Sequence, residues 1–305
     1  MRRPRSTLIS LTATVCAVVC VPTGARAQSC CAGGSAVTPG RLELHEDALV
    51  GMQVRAGTDL GSYDVRGSYA SSPSGATEYD LEEDLFGAVR VLPRAQVALL
   101  IPLVETQRQT RIDGGHFGGG VGDINGSVRY DFLLAGESRV VPGIALLAGL
   151  TLPTGRPPES ATADLLVDVT GVGAWQANVA LALEQLYGPW LFNATGIVAK
   201  RTSRFGETLG TQFTLLAAGA YSFSNGAALS LSVSYAFEGD ATATGGADVP
   251  DSAKHLTTAT LSGLWPLDDK WRLLGGLFVE PPISGFGKNQ PTVSGLTLTI
   301  IRSWS

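Results

Sequence analysis

The sequence predicts an all-β chain: a transmembrane, antiparallel, up-and-down β-barrel of about twelve strands that follows a cleaved signal peptide. Three observations carry this. Segments of about a dozen residues alternate polar and apolar positions, and one face of each is nearly free of charge. The connections between these segments alternate long and short. After residue 27 no run of about 18 unbroken apolar residues occurs, so a spanning chain must close into a barrel to pair its backbone groups internally.

The start of the chain sets the compartment. Arg2, Arg3 and Arg5 precede an apolar stretch from Leu8 to Val21, and Ala25-Arg26-Ala27 forms a small-residue cleavage site. Residues 1–27 therefore read as a secretory signal, and the mature chain as starting at Gln28. Cleavage removes four of the 22 basic residues and none of the 27 acidic ones, which leaves 18 against 27, a net charge of −9. Nucleic acid is not an expected partner of so acidic a chain. Cys16 and Cys20 leave with the signal, and only Cys30 and Cys31 remain. Adjacent α-carbons lie about 3.8 Å apart, below the roughly 4.4 Å at which disulfides begin, so these two make no relaxed bridge. Residues 28–44 are small and polar, with Gly and Pro, and read as a flexible periplasmic leader to a barrel over residues 45–305.

Each strand has a local reason. Residues 45–57 form the first, followed by a polar stretch over 58–78. Residues 80–92 and 95–107 make a hairpin about Pro93-Arg94, and 108–120 read as a glycine-rich loop. The hairpin from Val121 to Leu152 alternates Ile124, Val128, Tyr130 and Phe132 against Asp123, Asn125, Ser127, Arg129 and Asp131. After a loop over 156–170 come strands at 171–186 and 190–201, joined by Tyr187-Gly188-Pro189. Residues 207–223 and 227–237 follow, joined by Ser224-Asn225-Gly226, and Asn-Gly is among the strongest hairpin signals. The last strands are 254–265, 271–281 and 293–304. Short turns on one side and long loops on the other put both termini in the periplasm of a bacterial outer membrane. Trp190, Trp265, Trp271 and Trp304, with Tyr130, Tyr187 and Tyr221, sit beside the short turns and predict an interfacial belt there. A soluble β-sandwich or lipocalin-like barrel also places aromatics near turns, but it does not require a charge-free outward face.

The segment GGGVGDINGSVRYDFL, followed by GIALLAGLTLPTGRP, resembles the signature hairpin of a bacterial family of outer-membrane transporters, the MetA-pathway of phenol degradation family. The matching residues are Gly120, Gly122, Asp123, Arg129, Tyr130, Leu152, Pro153, Thr154 and Gly155. The resemblance implies passage of small molecules, aromatic or otherwise hydrophobic ones included, across the outer membrane. The chain departs from such barrels in ending on Ser305 after Trp304, because the assembly machinery, an expected partner, usually reads a terminal aromatic.

In a barrel the lumen-facing side chains set selectivity. The candidates are Arg90, Glu105, Asp123, Arg129, Asp131, Gln176, Asn178 and Glu184, with Asn193 and Thr195 on the next strand. Their opposed charges suit a constriction, or simply pair to fill a narrow lumen. The run GGHFGGGVGD lacks the following helix and Gly-Lys-Ser/Thr ending of a phosphate loop. His116 and Phe117 are instead expected on an external loop that folds inward as a gate. Of the mature histidines, His45, His116 and His255, only His255 has a Ser and an Asp nearby (Ser252, Asp251), so the expectation is no enzymatic activity and no cofactor. Cys30 and Cys31 are weak thiolate metal ligands with too few partners in the leader. The expected function is a passive channel or transporter, in contact with outer-membrane lipid and a small-molecule substrate. The alternative is a non-transporting barrel that docks, assembles or exchanges electrons with a partner through the Cys30-Cys31 leader.

Overall fold

The computed structural model describes residues 41–112, 114–138 and 140–305. The expected signal peptide and the Cys30-Cys31 pair lie outside these residues. Twelve long strands close on themselves: β1 (Ala48–Tyr63), β2 (Thr77–Leu92), β3 (Ala95–Gln109), β4 (Asn125–Leu133), β5 (Gly143–Thr151), β6 (Gln176–Tyr187), β7 (Trp190–Arg201), β8 (Gln212–Ser222), β9 (Ala228–Glu238), β10 (Lys254–Pro266), β11 (Trp271–Val279) and β12 (Pro291–Trp304). Each pairs antiparallel with its neighbours in sequence. The sheet closes where β1 meets β12 in a register running from Ala48 opposite Trp304 to Ser62 opposite Pro291. Closure leaves none of the twelve long strands at an outer edge, while Gly115–Val121 pairs with β3 alone and keeps one edge without a strand partner.

Alternation decides which side of the wall each residue takes. On β9 the odd residues Leu229, Leu231, Val233, Tyr235 and Phe237 face outward and are exposed, while Ser230 and Ser232 are buried inside. The short turns use local chemistry: Gly188 and Gly226 both take positive φ, which glycine adopts without steric cost. Aromatic rings gather at the short-turn end. Trp190 packs edge-on against Tyr221 at 5.0 Å, Tyr130 against Phe132 at 4.9 Å, and Arg302 stacks over Trp271 and Trp304.

Several stretches differ from the sequence reading; the strands expected from residues 171 and 207 run only from Gln176 and Gln212. β1 continues to Tyr63 and β2 already starts at Thr77, because polar residues above a lipid belt still pair with their neighbours. Residues Gly115–Val121 form a strand, not a loop, and pair with the far half of β3 from Leu103 opposite Val121 to Gln109 opposite Gly115. Glycines suit this strand because the long loop over 152–175 lies against it. A Cβ on Gly118 would stand 2.8 Å from the backbone of Val167.

The apolar core lies inside the barrel, toward the short-turn end. Leu49, Phe86, Ala88, Ala228, Leu264, Leu274 and Ile301 form one buried cluster, and Leu42 packs into it. Residues Arg41–Leu44 were expected in a flexible leader; instead Leu42 and Glu43 are buried in the lumen, where Leu42 loses its contact with water, and Leu44 stays exposed. Full burial of a leucine side chain contributes about 1.5 to 3 kcal/mol.

Candidate functional site: the lumen and its stopper

The segment over residues 41–47 enters the short-turn mouth and is tied to the wall on several sides. Leu42 is 6 %, Glu43 4 % and Glu46 2 % exposed. Arg272, inward on β11, pairs with Glu43 and, through Nη2 at 2.8 Å, with Glu46. Glu46 also accepts the Glu43 backbone N–H at 2.8 Å. Arg90 on β2 donates from Nε to the Glu46 carbonyl at 2.9 Å and from Nη2 to the Glu43 carbonyl. Gln96 on β3 accepts the Leu42 N–H at 3.1 Å, and Arg41 pairs with Glu184 on β6. Burial pushes the Glu43 carboxyl above its ordinary range, against the pull of Arg272.

Several sequence candidates meet at this stopper. Arg129 donates to Asp131 through Nε at 3.0 Å and to Glu184 through Nη2 at 3.1 Å, and Asn193 donates to the same Glu184 oxygen at 3.3 Å. Thr195 donates to Asn193 at 3.1 Å. Arg90, Arg129, Asp131, Glu184, Asn193 and Thr195 thus form one polar collar, and each carboxylate in it has a cation. Removing one partner of such a buried pair costs far more than the pair itself contributes.

Above the stopper the lumen opens into a cavity of about 500 Å³. Its wall is mixed: Leu100, Pro102, Val104 and Ile197 on one part, Asn125, Gln176, Asn178 and Thr195 on another. Gln176 accepts from Arg201 at 2.7 Å, and Arg201 reaches on to Glu238 at 2.6 Å and Gln212 at 3.1 Å, a second clamp near the long-loop end.

Three candidates take other places. Glu105 has the parity of Leu99 and Leu103 and points out of the barrel, because β3 turns only its even residues inward. Phe117 is 68 % exposed and shares that outward parity through its pairing with Gln107, so it does not fold in as a gate. His116 faces the other way, with Nδ1 at 3.8 Å from Asp164 of the loop over 152–175. That loop, not 108–120, is the one that enters the lumen, where Thr170, Gly171 and Val172 line the cavity.

Asp123 touches the cavity, but its carboxylate holds the loop. It accepts backbone N–H groups from Gly155 at 2.9 Å and Val172 at 2.7 Å, while Thr154 donates to the Gly122 carbonyl at 2.6 Å. The Gly-Asp and Leu-Pro-Thr-Gly stretches of the family resemblance are therefore two halves of one brace. Asp168, buried in the same loop, accepts N–H groups from Thr162 at 2.9 Å and Ala163 at 3.2 Å and is paired with Arg156. Those contacts, the Thr162 N–H first, hold its carboxyl far below the usual carboxylate range. The Ser252 hydroxyl donates to the Val249 carbonyl at 2.6 Å, while His255 packs against Tyr235.

Sequence reasoning missed the stopper residues Arg41, Glu43, Glu46 and Arg272, and the inward acids Glu78, Asp80, Glu82 and Asp84 on β2. The second set was findable, because all four share the parity of Arg90.

No family model matches the chain, and no curated protein does. Among solved structures, the chain is similar to the COG4313 outer membrane channel from Pseudomonas putida F1, with 17 % identity over 87 % of this chain and 97 % of that one and a TM-score of 0.69. It is more distantly similar to the translocator domain of the autotransporter NalP from Neisseria meningitidis, with 10 % identity over 85 % and 88 % of the two chains and a TM-score of 0.48. A loop L8 deletion mutant of OmpT, an outer membrane protein of Vibrio cholerae, is also among the similar barrels, with 12 % identity over 84 % and 98 % of the two chains and a TM-score of 0.36. One scaffold hosts unrelated activities, so a likeness in fold gives no support to the expectation of no enzymatic activity, which is withdrawn. What the likeness does establish is the architecture: this chain has the fold of a twelve-stranded outer-membrane β-barrel.

Proposed function

We propose that the chain is an outer-membrane channel for passive passage of small molecules, closed at rest by its own N-terminal segment. The observation that carries this is the cavity of about 500 Å³, lined mostly by apolar and uncharged polar side chains with the acids Glu82 and Asp123 among them, and stoppered at the short-turn mouth by residues 41–47. A lumen filled only for stability has no need of a separately tied plug above which the wall stands free. The apolar patch of Leu100, Pro102 and Val104 suits aromatic or hydrophobic permeants, in keeping with the resemblance to the MetA-pathway of phenol degradation family. On this reading the short turns and both termini face the periplasm, the long loops face outward, the exposed apolar belt contacts lipid, and the assembly machinery inserts the barrel. Arg90, Arg129, Asp131 and Glu184 form the collar that seats the plug, and Gln176 and Asn178 line the path.

The test is conductance in planar bilayers and solute uptake into liposomes, with wild type compared to a variant lacking residues 41–46. Higher open probability and faster uptake in the shortened protein support the reading. Equal, near-zero permeation in both, from protein shown to be folded by heat-modifiable gel mobility, refutes it.

A further inference from the structure

The inward face of β2 carries four acids at successive inward positions, Glu78, Asp80, Glu82 and Asp84. Three have partners. Glu78 accepts from Arg108 at 2.7 Å, Asp80 from Thr106 at 3.0 Å, and Glu82 lies 3.6 Å from Arg55. Arg55 is shared further, at 4.0 Å from Glu280 and stacked 4.1 Å over the Phe278 ring. Asp84 differs from the rest. It is only 7 % exposed, and its Oδ1 has no hydrogen-bond partner among the described residues. Its neighbours across the ladder are Gln53, whose amide donates to Thr299, and Pro102, which has no donor to offer. Glu82 repels its charge, and Arg55 attracts it more weakly. An ionisable group inside a spanning wall with one oxygen unmet points to a ligand that meets it.

We propose that this wall is a cation subsite of the channel, which takes the ammonium group of a small organic amine at Asp84 and Glu82. The amine's carbon body then lies against Pro102, Leu100 and Val104, the inward residues opposite Asp84, Phe86 and Glu82 on β3, in the cavity that Glu82 also lines. An N–H donor supplies the hydrogen bond Asp84 lacks, and the apolar patch beside it gives an amine with a hydrocarbon body an advantage over a bare metal cation. This names a permeant class for the channel reading and rests on it.

The experiment uses 2-phenylethylamine against phenylacetate, two ions of similar size and opposite charge, with folded wild type and Asp84→Asn in liposomes and in detergent. Wild type is expected to pass and bind the amine in preference by about tenfold, the ratio a single charge-assisted contact supplies. Asp84→Asn is expected to lose most of that preference while small-sugar uptake stays unchanged, and Glu82→Gln to lose part of it. Equal handling of the two ions by wild type, or preference for potassium without binding of the amine, overturns the subsite. If Asp84→Asn does not fold, Glu82→Gln with the wild-type binding isotherm decides the matter. Amine binding without passage of any solute overturns the channel reading and keeps the subsite.

Discussion

Replacing Arg272 by Ala tests the stopper at its most buried contact. The substitution leaves the backbone ladder of β11 intact but removes the cation shared by Glu43 and Glu46. With both carboxylates almost fully buried, leaving them without that partner costs about 3 to 5 kcal/mol. The wall cannot leave, but the segment over residues 41–47 can, so the cost falls on seating. At about 1.4 kcal/mol per factor of ten, the ratio of seated to unseated forms drops by roughly two to nearly four orders of magnitude. Single-channel recording reads this as a rise in open probability, and thiol labelling at a cysteine placed on Leu42 reads it as new accessibility. The triple change Arg272→Met, Glu43→Gln and Glu46→Gln keeps the volume and removes the unmatched charges, and should restore much of the closure. Open probability and labelling unchanged in Arg272→Ala would refute the argument, because the stopper would then owe nothing to its ion pairs.

Four further outcomes follow from the same geometry. Val179→Arg should cost about 2 to 4 kcal/mol in unfolding free energy from lipid, while Asn178→Arg, one residue away but beside the cavity, should be tolerated; equal costs would undo the facing of β6. Glu105→Gln should leave the reversal potential in a salt gradient untouched, since its side chain points out of the barrel. Because the Asp168 carboxyl is held below its unfolded range, its bracing of the loop over 152–175 is fully present above about pH 4 and fades only as pH falls toward its folded value. Protease cleavage of that loop should therefore rise only in strong acid in the wild type, and already at neutral pH in Asp168→Asn. Cys30→Ser with Cys31→Ser should leave uptake intact, whereas the docking alternative requires loss of partner capture.

The wall was readable because a strand's period of two is written directly into residues such as 227–237, and because turn residues such as Asn225 and Gly226 act locally. Where charge was read without parity the reading failed: Glu105 was placed inside by its chemistry, although Leu99 and Leu103 on the same strand fix its face as outward. The glycines at 115–121 were taken for a loop because a glycine run has no pattern of its own, and their strand is set by the backbone of β3. The collar was legible residue by residue, but what it surrounds was not. Nothing in the local pattern of Arg41 to Glu46 says that their partners lie on β2, β6 and β11, more than 220 residues away in the case of Arg272. The brace of Asp123 on Gly155 and Val172 was hidden for the same reason, since a carboxylate that holds a loop and one that lines a pore look alike in sequence.

The chain runs from the stopper into the wall at Asp47, whose N–H is held by the Trp304 carbonyl at 2.7 Å, just before β1 enters its ladder with β12. That anchor makes the plug a ligand on a very short leash. Seven residues extend at most about 25 Å, so the released segment explores only the volume around the mouth it came from. Short flexible tethers of this kind hold a ligand at an effective concentration in the range of about 1 mM or above. Reseating is then a fast intramolecular event whose rate is independent of protein concentration. Opening should consist of brief, frequent excursions, and a solute that holds the pore open must outcompete a plug that is never more than a few strand-widths away.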